Sequence, residues 1–384
     1  MNTRRGFFNW MVLVLVWIFF TNLFAAISVM NLRRFIEVTE IDVYIQKNQI
    51  AQYLYSNYQF FEATMFGLFF GTVFYFSNKF IEHSPIHKKS FGKIILIKSG
   101  IYMLSVVIIF AIIFGLYILF DILPFGINEF FNSGFLRSPS IVITMIYFGS
   151  LIVLTNFFIL TNRKFGPGNL FLIFLGKYHQ PKVEDRIFMF VDLKASTTYA
   201  EQLGHLKYSK LIQSCFHDLN TVVRKYKADI YQYVGDEVVL TWNTKDGLED
   251  LNCIKLFFAF QKKINIHANY YRKRFDMTPE FKAGLNTGMV TVAEVGDIKR
   301  EIAYHGDVLN TGARIQHLCN DYNVQLLATE DLILKIKNLE TFQTTLMGTV
   351  ALRGKTKEVA IYAVAETERK QRKKAKWKNY RVNK

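Results

Sequence analysis

The sequence predicts an α-helical membrane domain of four spans followed by an α+β sandwich domain, and three observations lead there. Long runs with few or no charges fill the chain from Met11 to Leu160. From Arg186 onward, short β-rich runs alternate with segments of helical periodicity. Between the two, Phe165-Gly166-Pro167-Gly168 breaks the pattern.

Met11 to Met30 carries no charge and reaches the length of about 20 apolar residues that a bilayer requires. Arg33-Arg34 follows it in place of a small-residue cleavage site, so it reads as an anchor and not a signal peptide. Phe60 to Phe80, with Glu62 near its start, Ser99 to Phe120 and Ile141 to Leu160 are the other three spans. With an inside N-terminus, Arg4, Arg5, Lys79, Lys88, Lys89, Lys93, Arg163, Lys164 and Lys177 lie in the cytoplasm, against Arg33, Arg34, Lys47 and Arg137 outside. That bias predicts an integral protein of the plasma (inner) membrane with both termini and the second domain cytoplasmic. The outside loop 31–57 reads as a short helix or a ligand-sensing element. Residues 1–161 thus form the membrane domain and 162–185 a juxtamembrane element. Its run Leu170 to Leu175 is too short to cross, and reads as an interfacial coupling helix or an apolar linker.

The second domain covers 186–367. Ile187 to Val191 is an unbroken apolar run, the pattern of a strand buried on both faces, and Asp192 stands where it emerges. Ile230 to Val234 and Val238 to Trp242 flank Gly235-Asp236, a two-residue hairpin signal that puts Asp236 at the tip. Helices are predicted over Leu203 to Tyr226, where Leu206, Leu211, Ile212, Cys215, Leu219, Val222 and Val223 form one apolar face, and over Asp250 to Arg274. Phe281 to Asn286 and Met289 to Val295 read as strands around Thr287-Gly288, and Gly306 to Asn310 opens a further helix. This order implies a ferredoxin-like α+β sandwich, its helices on one face of a mostly antiparallel sheet.

Singly, Asp192 is a turn or cap residue and Asp236 a hairpin former. Together, as carboxylates at neighbouring strand ends with no Cys or His cluster beside them, they suit a hard cation such as Mg²⁺. Such paired metals manage phosphates. The stretch Leu193, Lys194, Ala195, Ser196, Thr197 leads into a helix, so its backbone N–H groups suit a triphosphate. Asn310 and Arg314 lie four apart on one helix face. Cys215, Cys253 and Cys319 show no metal or disulfide spacing, which fits a reducing cytosolic setting.

The ordered set FVDLKAST, YVGDE, Asn310-x-x-x-Arg314 and Arg353-Gly354-Lys355 resembles the catalytic domain of the class III nucleotidyl cyclases. The GGDEF diguanylate cyclases share a similar hairpin, but here it reads VGDE, without the glycine pair. The cyclase resemblance implies that Asp192 and Asp236 hold two Mg²⁺ (or Mn²⁺) per site and that Asn310 orients the ribose. It further implies that Arg314 stabilises transition-state phosphate charge, Lys355 binds the terminal phosphates, and 193–197 cradles phosphate. It also implies a homodimer with shared active sites, metal aspartates from one protomer and the Asn, Arg and Lys set from its partner. At the positions where this family reads the base, the chain departs from it with Gln232 and Ala303. Gln donates and accepts, and Ala does neither through its side chain. The expected substrate is a nucleoside triphosphate, ATP favoured over GTP. The alternatives are a guanylate cyclase or a catalytically silent nucleotide-binding receptor.

Of the net charge of +16, nine positive charges fall between Arg369 and Lys384. The tail 368–384 therefore reads as a disordered basic segment suited to anionic membrane lipid. Aromatics interleaved there are limited to Trp377 and Tyr380, so no nucleic acid is expected.

Overall fold

The computed structural model describes residues 3–39, 58–82, 90–119, 139–165, 176–298, 300–339, 341–350 and 358–367. Arg353-Gly354-Lys355, the run 170–175 and the basic tail lie outside them. Two compact units are present, Met1–Phe165 and Gly166–Lys384.

The first unit holds α1 (Thr3–Thr39), α2 (Tyr58–Glu82), α3 (Phe91–Leu119) and α4 (Pro139–Phe165). Each contains a stretch long and apolar enough to cross a membrane: Trp10–Asn31, Tyr58–Ile81, Phe91–Ile112 and Ile141–Asn162. Two expectations are corrected. The third stretch begins at Phe91, ahead of Ser99, and takes in Lys93 and Lys98; α1 continues to Thr39, so the first part of the expected loop 31–57 is helix.

Lys98 is sequestered inside the bundle, where its Nζ donates to Asn78 Oδ1 at 2.5 Å. Glycines set the spacing of α1 and α2. A Cβ on Gly67 would lie 2.5 Å from Ile18 Cα, and one on Gly71 2.6 Å from Val14 Cα. Small residues four apart let two helix backbones approach in this way. Thr21 Oγ1 then reaches Ala63 O at 2.7 Å and Asn22 Nδ2 reaches Thr64 Oγ1 at 3.0 Å.

The second unit is built on an eight-stranded mixed sheet of order β2-β3-β1-β4-β6-β8-β7, with β5 paired to β4. The strands are β1 (Lys182–Leu193), β2 (Asp229–Val234), β3 (Glu237–Asn243), β4 (Phe281–Val295), β5 (Glu301–His305), β6 (Leu326–Thr329), β7 (Phe342–Val350) and β8 (Val359–Glu366). Among the described residues only β4 and β6 pair in parallel. The helices are α5 (Ser196–Val223), α6 (Thr244–Leu248), α7 (Asn252–Ile266), α8 (Ala268–Phe275), α9 (Asp307–Leu318) and α10 (Glu330–Lys335).

As its sequence predicts, β1 is buried on both faces. Ile187, Met189, Val191 and Leu193 pack with Leu211, Cys215 and Leu219 of α5 and Phe257 and Phe260 of α7. Phe188 and Phe190 pack on the opposite side with Val239, Val290, Val292 and, from α9, Val308 and Leu309. Helices therefore cover both faces, a correction to the one-faced sandwich.

Three further boundaries differ. The α5 helix starts at Ser196, kinks at Gly204, and leaves Leu206 exposed. The predicted helix 250–274 is broken at His267, whose Nδ1 sits 2.9 Å from both oxygens of buried Asp218, while Tyr271 OH donates to the same carboxylate at 2.7 Å. Satisfying that buried carboxylate fixes the break. The two strands expected around Thr287-Gly288 are one continuous strand, β4, held along its length by β1.

The α9 helix is seated by absent side chains and by one buried amide. A Cβ on Gly284 would lie 2.5 Å from Gln316 N and 2.6 Å from Gly312 O, and one on Gly312 2.8 Å from Phe190. Asn286 Nδ2 donates to Val308 O and its Oδ1 accepts from Thr329 Oγ1, both at 2.9 Å. We expect Gly284→Ala to lift α9 off the sheet and cost about 1–3 kcal/mol of stability, the range for overpacking a close-fitted contact. A thermal or denaturant melt at wild-type values would show that the helix has room to give.

Candidate active site

Asp192 is delivered by register. It pairs across the sheet with Lys282 on β4, while Val191 pairs with Val238 just beyond the β2–β3 hairpin. The hairpin turns on Gly235, whose φ of 62° is left-handed, and so brings Asp236 and Glu237 beside the end of β1. Three carboxyl groups now share a half-buried corner.

Burial and like charge together are felt at Asp192 and Glu237. Burial, then the charge of Asp236, pushes the Asp192 carboxyl up, opposed by Lys282 and a hydrogen bond from Gln316. Burial first, then Asp192 and Asp236, pushes Glu237 up to about 7. Tyr208 of α5, its hydroxyl against Ser196 and Asp236, is pushed up to about 12, chiefly by burial. Two donors hold a single oxygen of Asp192: Gln316 Nε2 at 3.1 Å and Lys282 Nζ at 3.4 Å, both on Oδ2.

The turn that follows is only partly open to a ligand. The Leu193 side chain is core, and the Lys194 N–H already donates to Glu280 O at 2.9 Å, which corrects the expectation that the whole stretch is free for phosphate. Ala195 adopts φ 57°, ψ 34°, left-handed backbone that costs a non-glycine residue about 1–2 kcal/mol, and the helix starts at Ser196. The first N–H groups of a helix have no partner within it, so Ser196 and Thr197 keep theirs directed out of the N-terminus.

Asn310 is exposed and Arg314 half-buried on α9, whose buried side is Thr311, Gly312, Ile315 and Gln316. At about 100° per residue, Arg314 and Gln316 point to opposite sides of the helix. The structure thus brings Asp192 and Asp236 together and sets Asn310 and Arg314 on the side of α9 turned away from that corner. Gln232 is exposed on β2 next to a bulge, and Ala303 lies half-buried on β5 opposite Ala293. Their neighbours Tyr231 and Tyr304 meet edge to face at 4.9 Å.

Sequence reasoning missed Tyr208, Glu237, Lys282 and Gln316. Glu237 adjoins Asp236 in the same motif, and Lys282 is a charge set in the short run Phe281 to Leu285 that opens β4 and is otherwise without polar side chains. Gln316 carries no such signal. The three cysteines are buried, with thiols pushed up to about 12 mainly by that burial, in keeping with their isolated spacing.

Residues 179–366 match the family described as the adenylate and guanylate cyclase catalytic domain. The chain carries a class III nucleotidyl cyclase domain. Adenylate cyclase 2 of Rhizobium meliloti (strain 1021) is 31% identical over 208 residues, which are 54% of this chain and 57% of that protein. Adenylate cyclase 1 of the same organism is 25% identical over 181 residues, 46% of this chain and 27% of that one. The chain thus spans little more than half the length of the first relative and about a quarter of the second. A bacterial light-regulated adenylyl cyclase of known structure shares the fold, with TM-score 0.51 at 18% identity over 62% of this chain and 68% of that one.

The crowding in the cyclase domain has a pH signature. Because the Glu237 pKa rises on folding from the ordinary 4.5 to about 7, its contribution to stability is fully present below 4.5 and is lost as pH climbs through 7. In protein freed of divalent ions, Glu237→Gln should therefore gain in melting temperature relative to wild type as pH rises across that window. Parallel melting curves for the two proteins from acid to neutral pH would contradict the crowding.

Proposed function

We propose that the chain is a membrane-anchored nucleotidyl cyclase that converts a nucleoside triphosphate, ATP before GTP, into a 3′,5′-cyclic nucleotide and pyrophosphate for intracellular signalling. One observation carries the reading: two strand ends bring Asp192 and Asp236 to one corner, at a cost in like-charge repulsion that a divalent cation would relieve. Among the described residues no three His, Cys, Asp or Glu side chains are placed so as to hold one metal ion between them, the Asp192, Asp236 and Glu237 corner included. A pair of carboxylates suits Mg²⁺ or Mn²⁺ all the same, since such ions keep waters and take their remaining ligands from substrate phosphates. The donor set therefore fits two ions.

Bound there, the ions would acidify the ribose 3′-hydroxyl and neutralise the triphosphate. Asp192 and Asp236 would hold them. The Ser196 and Thr197 N–H groups would meet the phosphates at the start of α5. In the reaction the 3′-hydroxyl gives up its proton to solvent, its oxygen forms a bond to the α-phosphorus, the bond to the bridging α–β oxygen breaks, and pyrophosphate leaves. Arg314 would carry the charge that develops on the phosphate, a task for a permanently ionised planar fork. Asn310 would orient the ribose and Lys355 the terminal phosphates.

Since Asn310 and Arg314 face away from their own Asp192, they would serve the site of a second copy, giving a twofold homodimer with two shared sites. The four apolar helices would anchor this dimer in the plasma (inner) membrane with the cyclase domains and both termini in the cytoplasm, and the basic tail would rest on anionic lipid. Gln232 supports a second reading, GTP as substrate, because its amide matches either purine edge.

Three outcomes are expected. Purified protein given ATP or GTP with Mg²⁺ or Mn²⁺ should form a cyclic nucleotide identified by mass, and Asp192→Ala or Asp236→Ala should abolish it while the domain still melts cooperatively. Wild-type turnover in either variant would remove the metal assignment. Gln232→Glu should raise the GTP to ATP activity ratio by an amount equivalent to about 1–3 kcal/mol, the cost of leaving polar base edges mismatched; an unchanged ratio would place Gln232 away from the base. Finally, Asp236→Ala and Arg314→Ala should each be inactive alone, yet co-expressed should regain roughly a quarter of wild-type activity, since half of randomly paired dimers are mixed and each keeps one intact site of two. Mixed dimers that co-purify without activity would rule out the shared site.

A further inference from the structure

We infer that Gln316 is the positioning residue for Asp192, holding Oδ2 from the buried side of α9 so that Oδ1 is the oxygen turned to a divalent cation. The inference rests on the cyclase reading above. An Asp carboxylate is loosely restrained about its last torsion, where the preference is broad and twofold. Here Gln316 Nε2 and Lys282 Nζ converge on Oδ2 at 3.1 and 3.4 Å, and the two residues are only 0% and 7% exposed. No hydrogen bond from a described residue reaches Oδ1. Rotating the carboxylate would break two buried contacts at once.

The state of the glutamine argues for a role beyond packing. Its Oε1 is buried without a partner, an omission that costs about 1–3 kcal/mol. Turning the amide over would not help, because an ionised carboxylate only accepts and needs the NH₂ group toward it. An apolar side chain of similar length would remove the orphan, so packing alone gives no reason for an amide here. What the amide supplies is a neutral donor. A glutamate at 316 would add another acid to the corner, whereas a lysine would bring a cation competing with the metal. Gln316 restrains Asp192 without adding to the positive charge that Lys282 already brings to Oδ2. Groups that orient metal ligands in this way typically affect metal affinity or activity by 10–100-fold.

The test compares wild-type protein with Gln316→Met, which keeps the length and loses the donor, and Gln316→Asn, a smaller amide that falls short of Asp192. Mn²⁺ is titrated into each full-length protein and followed by the electron paramagnetic resonance of the free ion; Mn²⁺-dependent activity and thermal melting are measured alongside. Both variants should need about tenfold more Mn²⁺ for half-saturation and half-maximal rate. The KM for the nucleotide at saturating Mn²⁺ should stay put, and Gln316→Met should melt no lower than wild type. An unchanged Mn²⁺ midpoint in either folded variant overturns the inference. So does failure of both variants to fold, because Gln316 would then serve the fold itself. If wild-type protein binds Mn²⁺ but forms no cyclic nucleotide, the cyclase reading fails, and the binding titration alone still decides the part played by Gln316.

Discussion

The second unit has to hold a carboxylate, Asp192, at the end of a strand packed on both faces, and most of its structure can be understood from that demand. From Ile187 to Val191, β1 has no face to spare, since odd positions meet α5 and α7 and even positions meet β3, β4 and α9. Its backbone is correspondingly fixed, so Asp192 leaves the core at a set height and in a set direction. Flexible positioning would be of little use to a site that must hold like charges close together. The neighbouring hairpin adds Asp236 and Glu237, and burial, together with repulsion from the neighbouring carboxylates, raises the pKa of Asp192 and of Glu237. Rigidity of the scaffold thus holds together charges that would otherwise separate.

The α9 helix answers the same demand from the other face. Gly284 and Gly312 let its backbone lie against the sheet, Asn286 ties its first turn to β6 through Thr329, and Gln316 reaches Asp192. Each of these residues looks unremarkable in sequence. Their common property is geometric: any side chain at Gly284 would move the helix by more than the tolerance of a 3.1 Å hydrogen bond. A helix held this closely can orient a carboxylate on one side while presenting Asn310 and Arg314 on the other.

What could be read from the sequence was what local pattern encodes. The buried run of β1, the Gly235-Asp236 hairpin, the four long apolar helices and the helix opening after Gly306 all follow from periodicity, turn chemistry or length. What could not be read depends on contacts between distant segments. Nothing near Gln316 announces Asp192, more than a hundred residues earlier. The break at His267 is set by Asp218 on another helix, and the unity of β4 across Thr287-Gly288 by its pairing with β1. Tertiary contacts overrode a local signal in those two elements, and placed α9 on the second face of the sheet. Lys98 belongs with them: a hydropathy pattern that starts the third span after the lysines misses that Asn78 Oδ1 of α2 accepts a hydrogen bond from it inside the bundle.

The orientation of α9 also bears on assembly. On a helix, residues two apart cannot address the same ligand, because their side chains leave the axis about 200° apart. If Gln316 is committed to its own Asp192, then Arg314, two residues earlier, is committed away from it. A nucleotide held by the metal corner of one protomer can then meet an arginine at this position only from another copy. Under twofold symmetry the relation is reciprocal, so the helix that orients one site would complete the other. On that reading, small shifts of α9 against the sheet would change both sites together, and a rearrangement of the dimer would change catalysis without unfolding either domain.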